Sequence, residues 1–597
     1  MWSTSEECGE VISGAWNSSQ SGTEQFDLAH KLAKCRDALK VWSKKCFGNN
    51  LEKIKELKTQ LGSIQKKVFS EQDFKREKVI KEELEMVLLR EEMYQHQRSR
   101  LNWIKYGDKN TSFFHATVNQ RRQRNQISKI QDNMGIWLTE ERDINMHLQS
   151  HFSSLFKSSG QRDFSSILQN VEGCITDGMN RTLTREVTDL EIKDAVFQLG
   201  ALKSPGPDGF NGLFFQLYWD TVGPKVCKAV KEFFSSGSLV KDFNLTDLVL
   251  IPKVQFPETL SHMRAISLCN FYLKIITKIL ANRLKVILKT IISPQQSAFV
   301  PGRMIQDSIL IAHEAFHFLK RKKNGKDKFM AVKLDFNKAY DRVEWDFLEA
   351  LMRKLGFAGV WVGWVMETVA SVKFSVLANG ESRASISPER GLRQGDPLSP
   401  YLFLIVKDVL SKLIQEELRG GHLAGMRINK FCPILSHIFF ADDAIIFLKA
   451  ELKECSMIKS VLEKYCSASG QMVPMTKPPN SVINRVSDII DPQSRQWNIQ
   501  KLEKEVPVEV VNAVKEIPIS HVERADQLVW HFNSNGIYSV KSGYHVAQQV
   551  FVESGHSKPS PSFTLGKDFW KEVGSLVTLR REQISYNIEN AIAKEDC

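Results

Sequence analysis

The chain lacks paired cysteines, since none of its ten cysteines forms a C-x-x-C motif. Neither a zinc ribbon nor a disulfide framework is therefore indicated, and the scattered thiols fit a reducing intracellular compartment, the nucleus or the cytoplasm. No apolar run approaches the ~20 residues that span a bilayer, so no membrane association is expected. The N-terminus is acidic and has no apolar core, which predicts no signal peptide. Internal repeats and long low-complexity segments are also lacking.

What is present is an ordinary globular composition, 42% hydrophobic and 25% charged, over 597 residues. The net charge of +12 is unevenly placed. Residues 31–130 hold 24 Lys and Arg against 12 Asp and Glu, whereas the rest of the chain balances at 57 of each. Such a basic block favours a polyanionic partner, either nucleic acid or a membrane surface. A solvated helical face explains the same block equally well.

Residues 31–130 are predicted to form a basic helical segment, after a disordered or weakly ordered stretch at 1–30. Apolar residues recur there at three- and four-residue steps, as they do along one face of a helix. Two such stripes are present, the first through Leu51, Ile54, Leu57, Leu61 and Ile64 and the second through Ile80, Leu84 and Val87.

Aromatic and basic residues alternate at the end of this segment. Exposed bases between aromatic rings suit contact with phosphates and stacking on nucleobases. The predicted nucleic-acid-binding residues are Arg121, Arg122 and Arg124. Inward packing within a helical pair explains the nearby rings of Phe113 and Phe114 equally well.

From about residue 185 to 480 the pattern changes to alternating helices and short strands, which predicts an α+β domain. Within it, Ser436–Leu448 reads SHIFFADDAIIFL, two apolar runs separated by a small residue and two acids. That pattern predicts a strand, a tight turn and a second strand. Two carboxylates at such a tip offer the hard oxygen ligands that divalent cations prefer.

A third carboxylate follows another predicted strand. Phe329–Phe336 reads FMAVKLDF and places Asp335 at the end of an apolar, β-branched run. An acid in that position is an odd choice for packing, because burying it unpaired is costly. Asp335 lies 107 residues before Asp442, far enough for their strands to be neighbours in one sheet. Three carboxylates brought together suit two-metal nucleotidyl transfer.

The segment Gly391–Pro400, GLRQGDPLSP, lies between these acids as a loop shaped by glycines and prolines. In chain order, the D-x-x-x-A-Y-D-R-V block, this loop and the F-A-D-D hairpin resemble motifs A, B and C of reverse transcriptases. The residues of these three blocks are similar to those of plant LINE-type (non-LTR) retrotransposons. Upstream blocks at 202–209, 250–270, 282–285 and 296–303 are similar to the fingers motifs of that family.

The resemblance implies an α+β right-hand polymerase, with fingers and an antiparallel palm sheet in residues 185–480. It implies an RNA-directed DNA polymerase that uses an RNA template, a DNA primer and deoxynucleoside triphosphates. Two Mg²⁺ ions, with Mn²⁺ as a substitute, would be held by Asp335, Asp442 and Asp443 with the backbone carbonyl of Phe336.

The remaining roles follow from the same resemblance. Lys253 and Arg264 would bind the triphosphate, Tyr340 would exclude a ribose 2′-hydroxyl, Gln394 and Gly395 would line the nucleotide and template site, and Lys477 would protonate pyrophosphate. Plain surface lysines at 253 and 477, and a core aromatic at 340, are the alternatives.

Three departures from the family are expected. The N-terminal endonuclease is missing, residues 474 and 478 are prolines where the family usually has Asn and Ser, and the thumb region is largely deleted. Residues 481–597 then resemble a remnant of a downstream region, partly disordered. A catalytically inactive nucleic-acid-binding remnant is therefore the alternative to an active polymerase.

A second motif offers a different reading. His313, Glu314 and His317 match the H-E-x-x-H pattern of zinc proteases, whose histidines share one helix face. The longer metzincin continuation is absent, because position 320 is Lys and no third His follows at the required offset. A metalloprotease is kept as a remote alternative.

Overall fold

The computed structural model describes residues 5, 7–17, 21–46, 50–66, 71–99, 111–160, 164–169, 171–254, 256–321, 328–429, 431–473 and 499. The chain forms two compact units. The first comprises Met1–Phe329, Leu334–Lys449 and Met457–Val473, and the second comprises Met330–Lys333, Ala450–Ser456 and Pro474–Cys597. The expected C-terminal remnant at 481–597 lies outside the described residues, apart from residue 499, and stays a prediction.

Two helices open the chain, α1 (Glu7–Trp16) and α2 (Glu24–Cys46). The structure here differs from the weakly ordered stretch expected at 1–30. The reason is an apolar stripe at every fourth position of α1, where Cys8, Ile12 and Trp16 are buried. Lys31 of α2 fixes the end of α1 by donating from Nζ to the carbonyl of Trp16 at 2.6 Å.

The described residues of the basic segment include the helices α3 (Asn50–Gln65), α4 (Glu71–Ser99) and α5 (Thr111–Asn125), and the assignment of 31–130 as one segment stays a prediction. The two predicted stripes form one apolar cluster, in which Leu57, Ile64, Ile80 and Val87 are buried and Ile54, Leu61 and Leu84 pack against them. The stripes thus stabilise a helical pair, whose described charged residues are mostly exposed apart from the buried Glu77 and Glu91 of α4.

The later helices vary from one to six turns. They are α6 (Glu141–Phe156), α7 (Ser165–Leu168), α8 (Asp177–Thr184), α9 (Asp189–Gln198), α10 (Gly212–Leu217), α11 (Trp219–Ser236), α12 (Phe271–Ile291), α13 (Ile305–Arg321), α14 (Trp345–Leu355), α15 (Gly359–Ala370), α16 (Ser399–Arg419) and α17 (Leu452–Ser469). None of the described helices is both long and apolar enough to cross a membrane.

The described strands form three small sheets. Their bounds are β1 (Ile130–Gln131), β2 (Trp137–Leu138), β3 (Leu245–Pro252), β4 (Met263–Cys269), β5 (Phe329–Leu334), β6 (Lys373–Ala378), β7 (Glu381–Ile386), β8 (His437–Phe440) and β9 (Asp443–Lys449). The first sheet is the hairpin β1-β2, the second has the order β4-β3-β6-β7, and the third has the order β5-β9-β8. Strands β3 and β6 pair in parallel, whereas β3–β4, β6–β7 and β8–β9 are antiparallel. This mixture of helices and small sheets confirms the α+β class.

A single apolar core joins α6 to the four-stranded sheet. Leu148, Phe152 and Phe156 on one face of α6 pack with Phe374 and Val376 of β6. The Phe156 and Phe374 rings lie 4.9 Å apart between centroids. Burying each such side chain contributes about 1.5–3 kcal/mol, so α6 stabilises the sheet although no motif includes it.

Helix α16 carries a lysine in an apolar core. Lys407 is fully buried, with Nζ 3.1 Å from the ring centroid of Phe336 and 5.0 Å from that of Phe439. Within the described part of the chain, this nitrogen has no hydrogen-bond acceptor. Burial lowers the pKa of Lys407 well below its ordinary value, because an apolar surrounding disfavours the charged amine.

Replacement of this amine should stabilise the fold. We expect Lys407→Met to raise the free energy of unfolding at neutral pH by roughly 1–3 kcal/mol, since it removes a buried polar group without a partner. The lysine pKa is lower in the folded than in the unfolded chain, so the unfolded chain binds more protons and wild-type stability rises with pH. The advantage of Lys407→Met should therefore shrink as the pH approaches the ordinary lysine pKa.

Urea unfolding of both proteins at neutral and alkaline pH measures this difference. The matched control is Lys464→Met, which removes an exposed lysine from α17 and should change the stability little at either pH. A Lys407→Met protein less stable than the wild type would contradict the expectation.

Candidate active site

The acid pair lies at the tip of the β8–β9 hairpin. Phe440 pairs with Asp443, so Ala441 and Asp442 form the connecting turn. Most of the flanking apolar residues are buried, with Phe440 and Ile445 half-buried, whereas both aspartates are exposed. Ala441 adopts a φ of 53°, a left-handed conformation that a non-glycine residue rarely takes. The predicted strand, turn and strand are thus present, with both carboxylates facing solvent.

Gln296 holds this turn from outside the hairpin. Its side-chain Oε1 accepts hydrogen bonds from the backbone N–H of Ala441 and of Ala298, each at 3.0 Å. The neighbouring backbone extends the contact, because Phe439 N donates to Gln295 O at 2.9 Å and Ser297 N donates to Phe439 O at 3.1 Å. Gln296 is buried, so the hydrogen bonds that stabilise the unusual turn are shielded from water.

Arg303 in turn fixes the segment that carries Gln296. Its guanidinium donates to three backbone carbonyls, those of Ile292 at 2.9 Å, Ser293 at 2.7 Å and Gln296 at 2.6 Å. The sequence block at 296–303 therefore supports the acid pair. Sequence reasoning missed this role, since a glutamine in a loop carries no local signal of its partner.

Asp335 follows β5 and is exposed, whereas Phe336 is buried. The backbone after Asp335 is anchored to the segment that follows α17. Asn337 N donates to Met472 O at 2.9 Å, and Gln471 Nε2 donates to Ala339 O at 2.7 Å. These bonds fix the chain direction directly after the first predicted catalytic acid.

The buried Lys407 links this segment to the acid pair. Its Nζ lies over the Phe336 ring, and its charge interacts with both Asp442 and Asp443. The pKa of Tyr340 is raised, mainly because the ring is buried and also because the negative charge of Asp442 lies close to it. The segment from Phe336 to Tyr340 therefore lies beside the hairpin tip. No sequence motif had singled out Lys407.

Tyr340 packs on α16 but keeps part of its surface exposed. Its ring stacks on that of Phe403, with centroids 4.6 Å apart and planes 15° from parallel. The contact is the one expected of a core aromatic. It also fixes the ring orientation five residues after Asp335, as a steric role would require.

The predicted metal ligands are three exposed carboxylates. Aspartate oxygens are suitable donors for Mg²⁺, and Asp442 and Asp443 are adjacent at one tip. Nevertheless, among the residues that the structure describes, no group of three or more His, Cys, Asp or Glu side chains is close enough to hold a metal ion. The described side chains of the H-E-x-x-H motif do not form such a group either.

The Gly391–Pro400 loop is bonded to β4. Ser267 N donates to Gln394 O at 2.9 Å, and Gly395 has a φ of 118°. A Cβ at Gly395 would lie 2.9 Å from Ser267 O, so only glycine fits this approach. Arg393 is buried and uses its donors internally, toward Asp396 at 3.2 Å and Thr368 O at 2.7 Å.

The two predicted triphosphate ligands lie on the β3–β4 hairpin. Arg264 is exposed on β4, opposite Ile251 of β3. Lys253 is exposed just after β3, and its Nζ donates to Ser261 O at 3.1 Å. Burial raises the pKa of Asp341 to about 6. The positive charge of Lys253, together with those of Lys338 and Arg342, opposes this rise. Lys253 thus faces the segment that contains Tyr340.

A further cation in this segment was missed by sequence reasoning. Lys338 has a φ of 50°, and its Nζ lies 3.0 Å from Nε2 of His151 on α6. Burial, and then the charge of Lys338, lower the pKa of His151 to about 4, so at neutral pH the imidazole is uncharged and accepts the hydrogen bond. The contact spans 187 residues of sequence, and no motif includes His151.

The predicted nucleic-acid ligands Arg121, Arg122 and Arg124 are exposed on the last turns of α5. Their exposure is what the prediction requires, and nothing in the structure tests the binding. Lys477 lies outside the described residues, so its role stays a prediction.

Comparison with known proteins identifies part of the chain. Residues 251–493 match the family described as reverse transcriptase (RNA-dependent DNA polymerase). This range contains the three carboxylates, the Gly391–Pro400 loop and the β3–β4 residues Lys253 and Arg264.

Three relatives show where similar sequences occur. The chain is 29% identical over 383 residues to the transposon TX1 uncharacterized 149 kDa protein of Xenopus laevis, covering 64% of this chain and 28% of the relative. It is 25% identical over 271 residues to the retrovirus-related Pol polyprotein of the type-2 retrotransposable element R2DM of Drosophila melanogaster, covering 45% and 24%. It is 46% identical over 67 residues to an uncharacterized mitochondrial protein of Arabidopsis thaliana, covering 11% and 55%.

The chain thus spans 28% and 24% of the length of the TX1 and R2DM relatives. The matched range of the family model includes the three motif blocks that the sequence predicts. Residues 251–493 are thus similar to the reverse transcriptase family, and the relatives that the chain resembles include a Pol polyprotein of a retrotransposable element.

Proposed function

We propose that this chain extends a DNA primer on an RNA template, by nucleotidyl transfer from deoxynucleoside triphosphates. The observation that carries the proposal is the hairpin tip, where Asp442 and Asp443 are exposed on a turn fixed by Gln296, beside the segment from Phe336 to Tyr340. The fingers and palm assignment of residues 185–480 belongs to the same proposal.

Two Mg²⁺ ions, or Mn²⁺ in their place, would be held by Asp335, Asp442 and Asp443 with the backbone carbonyl of Phe336. When bound, such ions lower the pKa of the primer 3′-hydroxyl and neutralise the leaving pyrophosphate. The exposure of all three carboxylates supports this proposal, because each is accessible to a cation from solvent.

The neighbouring residues bind and orient the substrates. Lys253 and Arg264 contact the triphosphate, where cations stabilise developing charge. The Tyr340 ring, fixed by Phe403, excludes a ribose 2′-hydroxyl. Gln394 and Gly395 line the nucleotide and template site, and Lys477 supplies a proton to pyrophosphate.

The setting of this reaction is the nucleus or the cytoplasm. The nine cysteines among the described residues are all free thiols, as a reducing compartment favours. An inactive nucleic-acid-binding protein is the second candidate, since the described carboxylates do not form a metal-holding group and the α5 arginines are exposed.

Removal of the acid pair separates the two candidates. Asp442→Asn/Asp443→Asn should lower primer extension on an RNA template with Mg²⁺ or Mn²⁺ by at least about 100-fold, because the amides cannot supply the anionic oxygens. Binding of the primer–template should stay within a few-fold of wild type.

The matched control is Asp194→Asn/Asp220→Asn, which neutralises two exposed aspartates on α9 and α11 and should extend primers normally. Equal extension by wild type and the 442/443 variant would refute the polymerase assignment. Absent extension by wild type with retained binding would favour the inactive candidate.

Substitution of Tyr340 tests its steric role. Tyr340→Val should raise ribonucleotide incorporation relative to deoxynucleotide incorporation by roughly 10-fold or more, because the ring no longer occupies the space of a 2′-hydroxyl. The ratio of kcat/KM values for the two nucleotides measures this change. Tyr340→Phe keeps the ring and should keep the wild-type ratio, whereas an unchanged ratio for Tyr340→Val would leave the ring a packing role only.

The α5 arginines are tested by salt dependence. Arg121→Gln/Arg122→Gln/Arg124→Gln should weaken binding of single-stranded RNA and reduce the slope of log affinity against log salt by about 2, at roughly 0.7 for each lost phosphate contact. Lys289→Gln/Arg419→Gln/Lys464→Gln removes three exposed cations from other helices as a control. Identical slopes for the two variants would assign the arginines to a solvated helical face.

A further inference from the structure

Lys338 lies in the turn between the first predicted catalytic acid and the aromatic ring predicted to contact the sugar. It follows Asp335 by three residues and precedes Tyr340 by two, so a change in its backbone dihedrals would move these two side chains relative to each other. Its φ of 50° lies in the left-handed region, which a lysine adopts only where its surroundings compensate for the strain. The contacts of Lys338 therefore decide whether this turn keeps its shape.

The Lys338 side chain bonds to a helix that is distant in the sequence. Its Nζ lies 3.0 Å from Nε2 of His151 on α6. Burial, followed by the charge of Lys338, lowers the pKa of His151 to about 4, so at neutral pH the imidazole is uncharged and can accept this hydrogen bond. Within the described part of the chain, no second acceptor contacts this amine. His151 thus supplies the partner that a half-buried amine requires.

His151 is itself held in place by the core. Its ring meets that of Phe152 edge to face, with centroids 5.2 Å apart and planes at 83°. Phe152 is buried in the core that joins α6 to the four-stranded sheet, and the Lys338 amine lies 5.8 Å from the centroid of its ring. The acceptor therefore belongs to a packed helix, which can fix the amine in one position.

Backbone hydrogen bonds extend this restraint from Lys338 to the sugar-contacting ring. Asp341 N donates to Lys338 O at 3.0 Å, and Leu392 N donates to Tyr340 O at 2.8 Å. The stack on Phe403 sets the tilt of the Tyr340 ring, whereas the position of its Cα depends on the turn at Lys338. A ribose differs from a deoxyribose by one oxygen atom, so a ring displaced by about an ångström discriminates poorly between them.

We propose that His151 is a positioning residue for nucleotide selection, which acts through the Lys338 amine on the turn that carries Tyr340. The inference rests on the proposed polymerase function, because selection concerns the sugar of the incoming nucleotide. It adds to that function a residue of α6, which precedes the matched range 251–493. A packing role of the imidazole ring is the alternative, and packing alone does not require an acceptor atom at this position.

The first test compares ribonucleotide with deoxynucleotide incorporation by the full chain. His151→Phe keeps a ring against Phe152 but lacks the acceptor. It should raise the ratio of kcat/KM for ribonucleotides to that for deoxynucleotides by about 3- to 10-fold. His151→Gln supplies an acceptor oxygen and should keep the wild-type ratio. The matched control is His147→Phe, which replaces an imidazole one turn earlier on α6 and should also keep it.

A second variant tests the contact from its other side. Lys338→Met should shift the ratio in the same direction as His151→Phe, and the double variant should show no further shift, because both changes remove one contact. Ribo- and deoxynucleotides carry the same triphosphate, so any lost phosphate contact cancels in this ratio. Lys338→Met also keeps the test valid if His151→Phe does not fold.

Hydrogen–deuterium exchange measures the positioning without nucleotide or metal. The amide of Asp341 should exchange faster in His151→Phe than in wild type, His151→Gln or His147→Phe, because its acceptor, Lys338 O, is less firmly held. A wild type that extends no primer would refute the proposed function, and the exchange rates would still decide whether His151 holds the turn. Wild-type ratio and exchange in both His151→Phe and Lys338→Met would overturn the inference, as would equal changes in His151→Phe and His151→Gln.

Discussion

The accepting oxygen of the Gln296 side chain is the constraint on which the acid pair depends. It holds the backbone of Ala441 in a left-handed turn, so the strands on both sides stay buried while two carboxylates face solvent. Charges on a loosely held loop would sample many positions, and two-metal chemistry depends on carboxylates fixed to within a fraction of an ångström. Arg303 extends the support by binding the carbonyls around Gln296.

The same region contains polar groups in opposite surroundings, with carboxylates in solvent and an amine in the core. The hairpin tip places carboxylates at the surface, yet Lys407 places an amine in the apolar layer against the ring of Phe336. The desolvated amine lowers the stability of this region, because its nitrogen has no hydrogen-bond acceptor among the described residues. Protein cores that carry such a group commonly do so near functional sites, where local stability is not the only property under selection.

Sequence patterns predicted those parts of the structure that depend on local order. The two apolar runs around Asp442 predicted the hairpin, and the stripes through Leu57 and Ile80 predicted helices with one apolar face, because the spacing and type of side chains determine which face is buried. The structure differs from the weakly ordered N-terminus that the sequence predicted. The buried face of α1 has only three residues, so the sequence offers too short a stripe to indicate a helix. The partners of Gln296 and Lys338 depend on tertiary contacts over more than 140 residues of sequence, which no local pattern contains.

Helix α6 lies outside residues 251–493, the range that the reverse transcriptase family model matches, yet it contributes to the apolar layer beneath the four-stranded sheet, and its His151 contacts Lys338. The boundary of the family match and the boundary of the folding unit are therefore different. A protein cut to the matched range alone would expose the apolar face of the sheet that α6 covers. The sequence of this helix is therefore constrained by the shape of the sheet it covers.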